Sequence, residues 1–120
     1  MAGAPASWWP TPSSNRRSYE RYPFTTFAWF KRIDEGALDD EEGVARSCDV
    51  SLKGAGVVTS RELPVGARVF LEIVATHGSV SVVGRVQHCA PTGVGQFRLG
   101  ILVYCIPPTD LQTWKRISNP

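Results

Sequence analysis

Arginine is the residue whose placement in this 120-residue chain first suggests chemistry. Ten of the thirteen basic residues are Arg, and Arg16, Arg17, Arg21, Lys31 and Arg32 crowd one early stretch, which reads as a local anion-seeking patch. A guanidinium is a planar fork that pairs bidentately with phosphate or with the edge of a base and stacks on π-faces, whereas Lys offers only its charge. Within the run 16–21, Arg17 and Arg21 form an R-x-x-x-R pair. A second pattern follows about thirty residues later: Asp49, Ser51 and Gly54 make D-x-S-x-x-G. There a carboxylate accepts hydrogen bonds, a hydroxyl donates or accepts, and a glycine permits positive φ or close approach of the backbone. Each pattern also has a plain reading, a solvated basic segment for the first and an Asx-type turn for the second.

The elements that must position these residues are strands. Six runs rich in Val, Ile, Phe and Tyr, at 25–33, 44–50, 56–60, 67–75, 79–89 and 96–104, are fenced by Gly, Pro or acidic clusters. In the fourth, Val69, Leu71, Ile73 and Ala75 alternate with Phe70, Glu72 and Val74, the period of two expected of a half-exposed strand. Short connections with Gly54, Pro64, Gly66, Gly78 and Gly95 favour antiparallel neighbours, and closing six strands into a barrel removes exposed edges. After Pro107, Thr109 can cap a short C-terminal helix in which Leu111, Trp114 and Ile117 recur every three residues. The composition of residues 1–15, with three prolines among small and polar residues, predicts a disordered tail. For Trp8 and Trp9 in that tail, docking onto a partner or the domain's own surface competes with no specific role.

In order and spacing, Arg17 and Arg21 ahead of the first strand, Asp49, Ser51 and Gly54 after the second, and Arg98-Leu99-Gly100-Ile101 in a late strand resemble the PilZ domain family. The resemblance covers residues 16–120. It implies an all-β fold: a six-stranded antiparallel barrel of split-barrel type with a closing helix. It also implies a receptor for cyclic di-GMP in which Arg17 and Arg21 contact guanine and phosphate, with Arg16 assisting. Asp49 and Ser51 would read the other base edge, where N1–H and N2–H are donors, and Gly54 would shape the turn. Arginines on a flexible leader could fold over the ligand and turn occupancy into a conformational change. Lys53 departs from the commonest family pattern, which often has a second glycine before Gly54. Family members often bind the ligand as an intercalated dimer, a choice that the residue before R-x-x-x-R, here Arg16, is thought to influence.

The other expectations concern class and surroundings. A net charge of +2 is too small for a generic nucleic-acid coat or polybasic membrane tail. Cys48, Cys89 and Cys105 have no metal-site or disulfide spacing, and Cys89 and Cys105 read as small core residues. His77 and His88 are isolated, and Asp39, Asp40, Glu41 and Glu42 read as a solvated loop rather than a calcium site. Trp29 and Trp114 read as barrel and helix packing. No nucleophile elbow, HExxH or phosphate-cradling glycine loop argues for an enzyme, and no cofactor or metal is implied. The expectation is a cytoplasmic monomer or weak dimer that passes ligand state to an unidentified protein, with no DNA or RNA partner and no membrane insertion. Two rivals remain: a PilZ-like module that binds a pilus or flagellar component and ignores the nucleotide, and a small barrel for single-stranded nucleic acid, which would need exposed aromatics and basic grooves on its sheet.

Overall fold

The computed structural model describes residues 20–37, 41–76 and 78–119. Its strands are β1 (Tyr22–Pro23), β2 (Phe27–Arg32), β3 (Glu42–Ser51), β4 (Gly54–Thr59), β5 (Arg68–Ala75), β6 (Gly78–Gly93) and β7 (Gln96–Cys105), followed by helix α1 (Pro108–Ser118). All pairings are antiparallel, in the order β1-β3-β2-β5-β6-β7-β4. A further pairing of β3 with β4 joins the two ends and closes six strands into a barrel. All six expected runs are strands. The two-residue β1 is an addition that alternation could not register, being too short to show a period.

Inward residues fill the ring. Val69, Leu71 and Ile73 of β5, Val80, Val82 and Val86 of β6, and Leu99, Ile101 and Val103 of β7 form one core with Phe30, Val50, Val57 and Leu63. At Gly84 the barrel wall leaves no room for a side chain. A Cβ there would lie 2.5 Å from Ile101 Cγ2 and 2.6 Å from the Leu102 carbonyl oxygen. In the β6–β7 hairpin, Gly95 takes φ +69° at the second turn position, a region that glycine enters without steric cost.

Helix α1 docks through Trp114, 1% exposed and part of the core, as expected. Its start differs from the expectation: Thr109 lies inside the helix, the cap position is Pro107, and no side chain caps. Proline has no N–H to satisfy and its φ suits the first turn, so Pro108 begins the helix. Asp110 instead accepts from the Ser81 N–H at 2.8 Å, tying the helix to β6.

Four further readings need correction. Trp29 faces outward, half-buried and edge-on to Phe70 at 5.9 Å, because the alternation of β2 gives the interior to Ala28 and Phe30. Cys105, at the outward end of β7, is exposed, although Cys89 does pack against the core. Glu41 is buried, accepting from Arg32 Nη1 at 3.1 Å while Arg32 Nε meets Asp34 at 3.1 Å. Arg32 therefore belongs to a structural ion-pair network instead of an anion-seeking patch. In the same network Asp34 accepts from the backbone N–H groups of Arg68 and Gly36. Together with Arg32, they hold its carboxyl below its ordinary pKa. Asp39, Asp40 and His77 lie outside the described residues, and His88 takes an ordinary half-buried strand position.

Overpacking of a strand that has no space for a methyl group gives the first test. Gly84→Ala is expected to destabilise the domain by about 1–3 kcal/mol, read from chemical denaturation, and an unchanged unfolding midpoint would contradict the close packing of β6 on β7.

Candidate functional site

The hairpin of β3 and β4 carries the second motif, and alternation sorts its residues by face. Val50, Ala55 and Val57 point into the core. The intervening positions, Asp49 and Ser51 on β3 and Gly54 and Gly56 on β4, therefore share the outer face. In register, Asp49 lies opposite Gly56 and Ser51 opposite Gly54. The next strand continues the rows: Gly56 faces Gly100, Gly54 faces Leu102, and Val58 faces Arg98. The result is a row of buried positions without side chains, Gly54, Gly56 and Gly100, bordered by Asp49 and Ser51 on one side and by Arg98 at one end.

Two local devices aim Asp49 and bring Arg21 to it. The ladder slips between Ser47 and Asp49, a bulge at Cys48 that re-aims the chain just where the carboxylate emerges. Opposite this bulge, β1 and β2 form one interrupted edge, and Ser47 fills the interruption. Its hydroxyl accepts from the Thr26 N–H at 3.0 Å and donates to the Phe24 carbonyl, while its own N–H donates to the Thr26 carbonyl at 2.9 Å. With that gap satisfied, β1 can pair Tyr22 with Val50 and Pro23 with Asp49. Arg21, one residue earlier, thereby comes alongside the motif.

Asp49 consequently faces two cations, Arg21 from the side of β1 and Arg98 from beyond β4. Burial dominates all the same. It pushes the Asp49 carboxyl above its ordinary pKa of 3.8 while the two arginines pull the other way. Burial likewise lowers the pKa of Arg21, opposed by the Asp49 charge. Asp49 Oδ1 is buried and has no hydrogen-bond partner within the described residues. A buried carboxylate oxygen left without a donor is costly in a folded chain, and it suits a molecule that arrives with N–H groups.

The turn between the strands is built from Leu52 and Lys53, neither with positive φ. Ser51 Oγ accepts from the Lys53 N–H at 3.3 Å, an Asx-like local closure. Gly54 does not serve through positive φ, which belongs among the described residues to Gly66, Gly78 and Gly95. It is the first residue of β4, buried between Ser51 and Leu102, so close backbone approach is the role left to it.

Of the residues singled out from the sequence, the fold brings Arg21, Asp49, Ser51 and Gly54 together. Arg16, Arg17, Trp8 and Trp9 lie outside the described residues. Sequence reasoning passed over Arg98 as a site residue, and with it the neighbouring glycines Gly56 and Gly100. The available signal was alternation: Arg98 and Gly100 sit two apart in a strand whose Leu99 and Ile101 read as core.

This arrangement agrees with what the chain is similar to. The PilZ domain of YcgR from Escherichia coli, solved with c-di-GMP, superposes with a TM-score of 0.63 at 21% identity, covering 85% of this chain and 88% of that one. The inhibitor of motility MotI/DgrA of Bacillus subtilis superposes with a TM-score of 0.65 at 18% identity over 84% of this chain and 48% of its own. The MrkH–c-di-GMP complex of K. pneumonia gives 0.61 at 14% identity, over 85% of this chain and 49% of that one. The chain thus spans about half the length of the B. subtilis protein and of MrkH. No curated protein matches it significantly in sequence. The family model of the PilZ domain matches residues 15–117, which takes in both motifs, the barrel and nearly all of the helix: the chain belongs to the PilZ domain family.

Proposed function

We propose that this domain is a cyclic di-GMP receptor that converts occupancy into a protein–protein signal in the cytoplasm, without catalysis. The observation that carries this reading is the convergence of Arg21, Asp49 and Arg98 around the three buried glycines Gly54, Gly56 and Gly100, with an unsatisfied carboxylate oxygen beside them. A purine can lie flat where Gly54, Gly56 and Gly100 present no Cβ. Asp49 then accepts from guanine N1–H and N2–H, with Ser51 beside it. Arg21, joined by Arg17 and Arg16 from the preceding segment, supplies forks for the phosphates and for guanine O6 and N7. Two bound c-di-GMP complexes among similar folds support the same ligand class. In this reading residues 1–15 form a tail ahead of a domain at 16–120.

The charge balance at Asp49 favours this over the rival in which the domain only docks a pilus or flagellar component. A buried carboxylate with raised pKa burdens a pure docking module, whereas a ligand's donors would relieve it.

Calorimetry with cyclic di-GMP is expected to show binding at low micromolar strength or tighter. Arg17→Ala and Arg21→Ala should each weaken it roughly tenfold or more, the worth of a charge-assisted hydrogen bond being about 1.5–3 kcal/mol. Absence of heat with the intact chain rules out the ligand. Protonation of Asp49 removes its charge and turns one of its two acceptor oxygens into a donor, so affinity should fall as pH drops through the raised pKa, which lies above 3.8. Asp49→Asn should abolish that acid limb.

The same substitution separates function from folding. A carboxyl whose pKa is raised by folding contributes stability that is complete below its unfolded pKa and lost as pH rises through the folded one. Above that folded pKa the ionised Asp49 is therefore a burden, and there Asp49→Asn should leave the thermal midpoint of the nucleotide-free protein unchanged or higher while weakening binding. A lowered midpoint would mean that the two arginines need the carboxylate more than burial penalises it.

A further inference from the structure

A groove runs beside the D-x-S-x-x-G turn, between the end of β7 and helix α1, with a volume of about 350 Å3. Its floor is Trp114 and Ile106, and its walls expose Leu52 by 37%, Tyr104 by 49% and Leu111 by 38%. Lys53 and Lys115 stand on its rim. Among the described residues no carboxylate lines it. Asp110, the acid of the helix, is turned to the Ser81 N–H. A third cation, Arg85, lies over the Tyr104 ring at 5.9 Å.

The backbone around this groove has little to offer a small polar ligand. The Leu52 carbonyl already accepts from Trp114 Nε1 at 3.1 Å, and the Lys53 carbonyl from the Val103 N–H at 2.8 Å. What remains is an apolar trough with exposed aromatic and leucine side chains and positive ends. That chemistry recognises a peptide segment with an apolar stripe, flanked by Asp or Glu, laid into the trough as an amphipathic helix. Complementary charge would steer its approach and fix its register.

The groove and the proposed ligand site share one turn. Leu52 and Lys53 are the two residues between Ser51 and Gly54, and the Trp114 indole holds Leu52 to the helix. A ligand gripping Asp49 and Ser51 would thus act on a wall of the groove through a single peptide unit and one hydrogen bond. Resting on the receptor reading above, we infer that this groove is the output surface: a docking site for an acidic amphipathic segment of a partner protein, with an affinity that depends on nucleotide occupancy.

The test selects displayed random 16-residue peptides against the full chain, with and without cyclic di-GMP. Enriched peptides should combine a helical apolar stripe with surplus Asp and Glu, and should lose about tenfold in affinity on charge reversal by Lys115→Glu. Leu111→Glu should weaken them as well. Amide shifts on peptide addition should map to the turn and α1. Net basic winners, or winners indifferent to both substitutions, would overturn the assignment. So would a dimer in sedimentation that Lys115→Glu dissociates, since a second copy would then fill the groove. Calorimetry keeps the two readings apart. If the nucleotide does not bind but acidic peptides still select this groove, the docking surface stands and the receptor reading fails. If the nucleotide binds and peptide affinity ignores it, the coupling fails.

Discussion

Closure of the ring by β3 and β4 is the constraint on which the other features depend. Six strands can bury one core only if the last edge finds the first, and here the joining hairpin is also the segment that carries Asp49, Ser51 and Gly54. Its inward residues, Val50, Ala55 and Val57, are fully buried, which fixes the register. A slip by one residue would turn Asp49 into the core and Val50 outward. The carboxylate is held in place by the packing of its apolar neighbours rather than by bonds of its own.

Around that hairpin the chain accumulates small adjustments that make little sense for stability alone. A bulge interrupts β3 beside the carboxylate, and Ser47 rather than the ladder satisfies the broken edge opposite. Glycines take three positions where β-branched residues would strengthen the strands. Burial raises the pKa of Asp49 and lowers that of Arg21. Contrast the other end of the barrel, where Arg32, Asp34 and Glu41 satisfy one another with direct hydrogen bonds. One cluster is closed by its own ion pairs, while in the other the buried Asp49 Oδ1 has no donor among the described residues.

The turn of Leu52 and Lys53 gives the fold a route from one surface to another. It ends the strand bearing Ser51, and it is pinned by Trp114 of the helix and by Val103 of β7. Helix α1 has no side-chain cap, and its attachments are tertiary: the Trp114 ring in the core, the indole N–H on Leu52 and the Asp110 carboxylate on Ser81. Those three contacts set where the helix lies on the barrel.

Much of this was legible in the residues. Alternation in 67–75 identified the buried face of β5, the spacing of Leu111, Trp114 and Ile117 identified the helix, and the two motifs marked Arg21, Asp49, Ser51 and Gly54. These are local signals, carried by period and by residue type. Other features were not local. Arg98 joins the site only because β7 pairs with β4, about forty residues away in the chain, and Arg32 leaves the basic patch because Glu41 folds back onto it. Trp29 faced out and Cys105 was exposed because each strand has two sides and only the closed ring decides which is inner. Sequence determines which residues alternate and which can turn. Register and closure, set by packing among residues distant in the chain, decide which charges meet.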